Sequence, residues 1–266
     1  SDENDHMNVQ FYFKRFDEAA RIFDLLSTND ERPTTLPRDR HVRYHAELHP
    51  GARTLVRSAA IAGGAYHGRI VHFLEDAETG ALAATALDAA SGLACRHRIS
   101  PEEAEAALPR SSSAEPLKPI SADEILETGG LFANASIVSP AECDALGEMN
   151  AQYYIARFSD AAPHVWARAG LDTDWLRERG LGRVAVEMKI THHRPARIGE
   201  AVALYSVPRI NGAKTVLLRH EMVRLADREP IASGEVVALV LDLKTRRSQP
   251  LPDALIERMG AKAGTG

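Results

Sequence analysis

The sequence predicts an α+β protein made of two tandem copies of one unit, each a long helix followed by an antiparallel meander. Three observations carry that prediction. Two helix-entry segments match each other without gaps, the same order of helix and β-rich runs follows both, and a Pro- and Ser-rich stretch lies between them.

The repeat comes first because it decides the rest. Ser1–Ala19 laid over Cys143–Ala161 gives eight identities in nineteen positions at a constant offset of 142. They are Asp2/Asp144, Met7/Met149, Asn8/Asn150, Gln10/Gln152, Tyr12/Tyr154, Arg15/Arg157, Phe16/Phe158 and Ala19/Ala161. Ordinary residue frequencies give about one identity in such a window, so the match is a duplication.

Each half then runs through the same elements. Helical stretches at Asn8–Leu26 and Asn150–Ala169 come first, with Pro163 expected to kink or restart the second. The first half continues with β-rich runs at His41–Leu48, Arg53–Ile61, Gly68–Leu74 and Leu82–Ala89. The second has a short helix at Thr173–Gly180, capped by its Thr and closed by its Gly. Runs at Arg183–Thr191, Ala201–Pro208, Lys214–Arg224 and Ile231–Asp242 follow it. They largely alternate and are separated by Gly, Pro and Asn turn signals. Such a sheet buries one face against its helix.

Between the halves, Ser100–Ser121 holds Pro101, Pro109, Pro116, Pro119 and three consecutive serines from Ser111, the composition of a linker. The expected division is a first repeat over 1–99, a linker over 100–122 and a second repeat over 123–266. A strand at Leu131–Val138 feeds the second motif, and nothing comparable precedes Ser1. The natural chain is therefore expected to extend further N-terminally, with the first strand of repeat 1 missing here.

Composition narrows the class. An apolar fraction of 44%, a charged fraction of 26% and a net charge of −5 fit a soluble globular protein with a proper core. Basic residues form no stripe, so no nucleic-acid partner is expected. The longest apolar runs, such as Val236–Leu241, are too short to span a bilayer. Cys95 and Cys143 are isolated, which favours a reducing cytoplasm over a disulfide framework.

The motif residues carry a resemblance. Asp144-Ala-Leu-Gly-Glu-Met-Asn150, with Tyr154 and Phe158 behind it, resembles the helix-entry motif of the 4-hydroxybenzoyl-CoA thioesterase-like hotdog superfamily. That motif reads roughly Asp-x-x-Gly-His-x-Asn before an aromatic-rich helix. The likeness spans residues 131–258, including the helix at Leu171–Gly180, the Gly199–Glu200 turn and the Val240–Leu243 run before Pro250 and Pro252. Asp2-Glu-Asn4-Asp-His6-Met-Asn8 resembles the Asp-x-Asn-x-His-x-Asn pattern of acyl-carrier-protein thioesterases, which share the fold. The resemblance implies two tandem hotdog domains, each an antiparallel sheet wrapped around a long central helix. They pair within one chain into a continuous sheet with both helices on one side. A homodimer of such chains is a further expectation.

The implied activity is hydrolysis of an acyl thioester, acyl-CoA or acyl-carrier protein, to the free acid and thiol. It requires a base or nucleophile at the carbonyl carbon and donors for the oxyanion. A helix N-terminus supplies such donors as unpaired amides at a positive dipole end. The resemblance makes Asp2 and Asp144 candidate bases or nucleophiles, with Asn4 and His6 orienting Asp2 and the water. Glu148 replaces the motif His in repeat 2, while Asp5 replaces the motif Gly in repeat 1. Asn8, Val9, Asn150 and Ala151 are the candidate binding positions at the two helix starts. Repeat 1 is the favoured site because Asp2, Asn4 and His6 together match one known arrangement. No cofactor and no metal are implied.

Plainer roles compete for several residues. A carboxylate ahead of a helix is often only an electrostatic cap, worth about 0.3–1 kcal/mol. Asn8 and Asn150 read as helix caps, and Tyr12, Phe16, Tyr154 and Phe158 as core packing. Arg15 and Arg157 are expected on solvated helix faces. His192 and His193 are neighbours on an expected strand and point to opposite faces, which argues against a shared metal site for the pair. His45, His49, His67 and His72 lack partner ligands at metal spacing. Two other functions fit a hotdog chain: an enoyl-CoA hydratase or dehydratase, for which only His49-Pro50-Gly51 offers a weak turn, and an acyl-binding module without chemistry.

Overall fold

A computed structural model describes residues 7–28, 36–89, 97–253 and 255–256. Among them, helix α1 (Val9–Thr28) leads into strands β1 (Asp39–Tyr44), β2 (Thr54–Ile61), β3 (Ile70–Asp76) and β4 (Leu82–Asp88). A two-residue strand β5 (Arg98–Ile99) and the short helix α2 (Ala122–Glu127) follow. The second half comprises β6 (Leu131–Ile137), α3 (Ala151–Ala169), α4 (Thr173–Glu178), β7 (Leu181–His192), β8 (Ala201–Ile210), β9 (Thr215–Arg224) and β10 (Pro230–Asp242). A last short strand, β11 (Ser248–Gln249), pairs with β10.

The strands form one continuous sheet in the order β5-β2-β3-β4-β1-β7-β10-β9-β8-β6. Its halves meet where β1 pairs antiparallel with β7. This is the tandem double-hotdog arrangement that the resemblance implies. The pairing repeats in the two halves: Arg40 faces Asp88 in the first as Met188 faces Val236 in the second, a constant offset of 148. At the outer edges the halves differ, since β8 carries seven-residue β6 antiparallel whereas β2 carries β5 in parallel.

Both long helices lie on one face and share one apolar cluster with it. Tyr12, Phe13 and Phe16 from α1 and Tyr154, Ile155, Phe158, Ala161 and Val165 from α3 are all buried there. Helical spacing puts these side chains on one stripe, which is why the sheet buries them together. Helix α3 runs unbroken through Pro163 to Gly170, whose φ of 87° closes it. Its neighbour α4 is capped not by Thr173 but by Asp172, whose side chain accepts from Trp175 N at 2.8 Å.

The Pro/Ser-rich stretch is no free tether. It crosses the opposite face of the sheet, where Ala104 and Ala107 pack with Ile61, Val71 and Leu87. Glu187 of β7 pins it, accepting from the amides of Arg110, Ser111 and Ser112 and from the Ser112 hydroxyl. These donors, with His41 at 2.7 Å, hold the Glu187 carboxyl near a pKa of about 2 despite its burial. Four Pro fix the path while a buried carboxylate supplies the anchor.

Candidate functional site

The duplication builds the two helix entries the same way. Ahead of α3, Met149 N donates to Ala196 O at 2.8 Å, and Ala196 N donates to the Tyr154 hydroxyl at 2.9 Å. Ahead of α1, Met7 N donates to Leu48 O at 2.7 Å and Leu48 N to the Tyr12 hydroxyl at 3.1 Å. The phenol of each buried Tyr therefore bolts a strand-end loop to its helix, and burial lifts the Tyr154 pKa to about 12. At the α1 start Asn8 takes the amides of Gln10 and Phe11, which leaves the amide of Val9 as the one placed to meet a ligand oxygen.

Each entry is completed by the other helix, because α1 packs against α3. Asn8 caps α1, accepting from Gln10 N at 3.1 Å, and its amide nitrogen donates to Ser159 Oγ on α3 at 3.2 Å. Asn150 occupies the cap position of α3 but does not cap with its side chain. Its Nδ2 donates to Glu142 O at 3.0 Å and its Oδ1 accepts from Arg21 on α1 at 3.2 Å. The loop carbonyl and the arginine compete successfully for the side chain that the sequence assigns to capping.

From there the sites diverge. At the α1 entry a cavity of about 890 Å³ opens between the halves. Met7, Asn8, Val9 and Tyr12 form one wall, and α3 contributes Phe158, Ser159, Pro163 and Trp166. Its floor is the second half of the sheet, with Met188, Leu218, His220 and Val236. Size and apolar lining are those of a small-ligand site with a few placed polar groups.

At the α3 entry the corresponding space is filled with charge. The sheet register equates Met188 with Arg40 and Val236 with Asp88, again at an offset of 148. Arg40 and Asp88 form a fully buried bidentate pair, Nε–Oδ1 at 2.7 Å and Nη2–Oδ2 at 2.6 Å. The guanidinium holds the Asp88 carboxyl far below the usual range against a burial penalty that acts the other way. Asp17 joins this cluster and its pKa is raised, chiefly by burial.

The motif carboxylates of repeat 2 are engaged as well. Asp144 Oδ1 accepts from the amides of Leu146 at 2.9 Å and Glu148 at 3.1 Å, closing its own loop around Gly147 at φ 73°. Its Oδ2 lies 3.8 Å from Arg21. Glu148 is paired with Arg197 at 2.8 Å. Asp2, Asn4 and His6 lie outside the described residues; Asn8 and Val9 stand on the cavity wall and Asn150 and Ala151 do not.

Two further expectations change. Arg157 is buried rather than solvated, because Glu142 takes its guanidinium at 3.0 and 3.1 Å and Ser136 its Nε at 2.9 Å. Arg15 is exposed and pairs with Glu18. Phe158 is both core and cavity wall: it stacks on His220 at 4.8 Å and 7°. Beneath it Gly234 is required, since a Cβ there would stand 2.4 Å from the Phe158 ring.

Sequence reasoning missed His220, and a signal for it exists. Ser58 and His72 in β2 and β3 are spaced as Ser206 and His220 are in β8 and β9, and both pairs are hydrogen-bonded, at 2.6 and 2.8 Å. Burial drives the His220 pKa down to about 3. Met188, Val236 and Arg21 carried no local signal, being ordinary residues in ordinary strands and helices. Among the described residues no cluster of His, Cys, Asp or Glu has the form of a metal site. No helix among them is long and apolar enough to cross a membrane.

Comparison with solved structures shows likeness in fold. A protein from Lactobacillus plantarum described as an oleoyl thioesterase superposes with a TM-score of 0.62 over 95% of this chain and 93% of its own, at 13% identity. The 1,4-dihydroxy-2-naphthoyl-CoA thioesterase of Synechocystis matches 48% of this chain and 93% of its own, at 16% identity and a TM-score of 0.42. A Staphylococcus aureus protein solved in complex with CoA matches 57% of this chain and 87% of its own, at 17% identity and a TM-score of 0.45. No curated relative matches the chain. The thioesterase-like superfamily profile matches residues 1–110 and again 138–259. The chain thus belongs to the thioesterase-like superfamily, with both of its halves.

Proposed function

We propose that this protein hydrolyses an acyl-CoA thioester at a single site, the one at the start of α1. The observation that carries the proposal is the asymmetry of the two helix entries. An apolar cavity of about 890 Å³ adjoins Asn8 and Val9, whereas its counterpart is occupied by Arg40, Asp88 and Asp17. The acyl chain lies in the cavity and the thioester carbonyl meets the Val9 amide at the start of α1, where the helix dipole favours the developing negative charge. Asp2 is the sequence counterpart of Asp144 and acts as general base for water, or as nucleophile, with Asn4 and His6 orienting it. Asp144 and Glu148 serve the architecture of the closed entry, since amides and arginines take up their oxygens.

The reaction balances as water plus thioester giving carboxylic acid plus thiol. The base takes the water proton, the hydroxyl oxygen bonds to the carbonyl carbon, and the C–S bond breaks with the electron pair leaving on sulfur, which receives the proton from the base. Release of free CoA thiol from short, long, aromatic and polar acyl-CoAs tests the reading. Turnover of at least one class is expected. Tight binding of acyl-CoA without thiol release from any class would leave an acyl-binding module instead.

A further inference from the structure

Resting on the acyl-site reading above, we infer that the acyl group carries an oxygen along its chain, a hydroxyl or keto group, and that His220 recognises it. His220 is fully buried, lines the cavity, and has an Nε2 with no hydrogen-bond partner. Its other nitrogen is committed to Ser206 Oγ at 2.8 Å, and the ring is clamped face to face by Phe158. A buried polar atom left unpaired costs free energy, and such atoms are rare unless a ligand or water completes them.

In the other half of the molecule the same histidine faces a carboxylate. His72 occupies the equivalent position, bound to Ser58 through Nδ1, and its Nε2 faces Asp88 Oδ2 in a long contact of 3.4 Å. A carboxylate held far down its titration range is acceptor-only, so the ring atom that faces it is placed to donate. The matching Ser206 contact accommodates the same tautomer at His220, with an Nε2–H donor. But the position of Asp88 is Val236 in the second half, and Val236 lines the cavity. At His220 the protein places no carboxylate opposite Nε2, and the cavity beside it is where a ligand can supply an acceptor. A saturated hydrocarbon chain offers none.

The test uses non-hydrolysable S-alkyl-CoA thioethers, one plain and a series with a single hydroxyl or keto oxygen at successive chain positions. Binding is measured by calorimetry to the wild-type chain and to His220→Phe, which keeps a flat ring under Phe158. At least one oxygenated probe should bind the wild type about tenfold more tightly than the plain one, the worth of one well-placed hydrogen bond in a buried site. In His220→Phe that preference should fall below about twofold, with affinity for the plain probe unchanged or higher. Equal binding of all probes, binding of none, or a preference that survives in His220→Phe overturns the inference. So does equal weakening of plain and oxygenated probes, which would assign the ring to the thioester end, and so does an ordered water as the sole partner of Nε2.

Should His220→Phe fail to fold, ¹⁵N-histidine-labelled wild type replaces it. The His220 Nε2 resonance must move with the oxygenated probe and stay with the plain one. Binding does not require turnover, so the two readings fail separately. A chain that sorts the probes but hydrolyses nothing keeps this inference and loses the hydrolase, while a hydrolase indifferent to chain oxygen does the reverse.

Discussion

The two halves share one backbone plan and have spent the space between helix and sheet in opposite ways. In the second half Gly234 lets Phe158 lie flat on His220, and Met188 and Val236 leave an apolar chamber beside them. In the first half the equivalents are Ala86, Arg40 and Asp88, and Phe16 sits tilted 38° to His72 at 6.3 Å. The helices divide likewise: Arg21 of α1 reaches to Asn150 and Asp144, while its counterpart Pro163 has no side chain to reach with and lines the cavity. Duplication gives two potential sites; a handful of substitutions fills one with charge and leaves the other open.

The largest consequence concerns catalysis. Asp2→Ala should lower kcat/KM by about 10²-fold or more, the usual loss for a general base, whereas Asp144→Ala should stay within about twofold. Comparable losses in both variants would mean that the α3 entry works too.

Next is the buried pair. Asp88→Val removes the bidentate partner of the Arg40 guanidinium, leaving only Asp17 near it, and should cost about 3–5 kcal/mol in denaturant unfolding. Installing both residues of the other half, Arg40→Met with Asp88→Val, should recover most of that loss, because breaking a buried pair costs more than replacing it. A double variant no more stable than the single one contradicts the equivalence of the halves.

Gly234→Ala is the packing test. A methyl at 2.4 Å from Phe158 forces the ring off His220, at about 1–3 kcal/mol of overpacking. Ala86→Gly in the other half should cost no more than about 1 kcal/mol, the penalty of a strand glycine. Equal effects would show that the stack is not specific to the open half.

The smallest effect is a pH dependence. Burial lowers His192 to about 4 and His220 to about 3, so the fold keeps both neutral. The unfolded chain binds protons on them from about pH 6.5 downward. Their contribution is therefore complete above that pH and is lost as pH falls toward the folded values. Thermal scans should show Tm dropping between pH 7 and 5, less steeply in His192→Phe. A flat profile over that interval would exclude the two buried rings as the cause.

Much of the fold was legible because it rests on period and repetition. Alternating runs placed β7 to β10 within a few residues, and the Asn8/Asn150 match aligned the two helices. Of the positions that the motif singles out, Asn8 and Val9 border the cavity. What the sequence hid depends on partners far along the chain. Whether Arg157 is solvated is decided by Glu142, and whether Asn150 caps is decided by Arg21 across 129 residues. The closing of one chamber is likewise invisible locally, since Arg40 and Asp88 meet only when β1 pairs with β4. The strap of residues 100–121 shows the same limit: its composition predicts a linker, and only the carboxylate of Glu187 reveals that it is fastened.

The most direct measurement is stoichiometry. Titrating the chain with a non-hydrolysable acyl-CoA thioether by calorimetry should give one bound ligand per chain, and Arg40→Met with Asp88→Val should raise that number toward two. Two equivalent ligands on the unaltered chain would contradict the account, because a volume packed with Arg40, Asp88 and Asp17 has no room for the second.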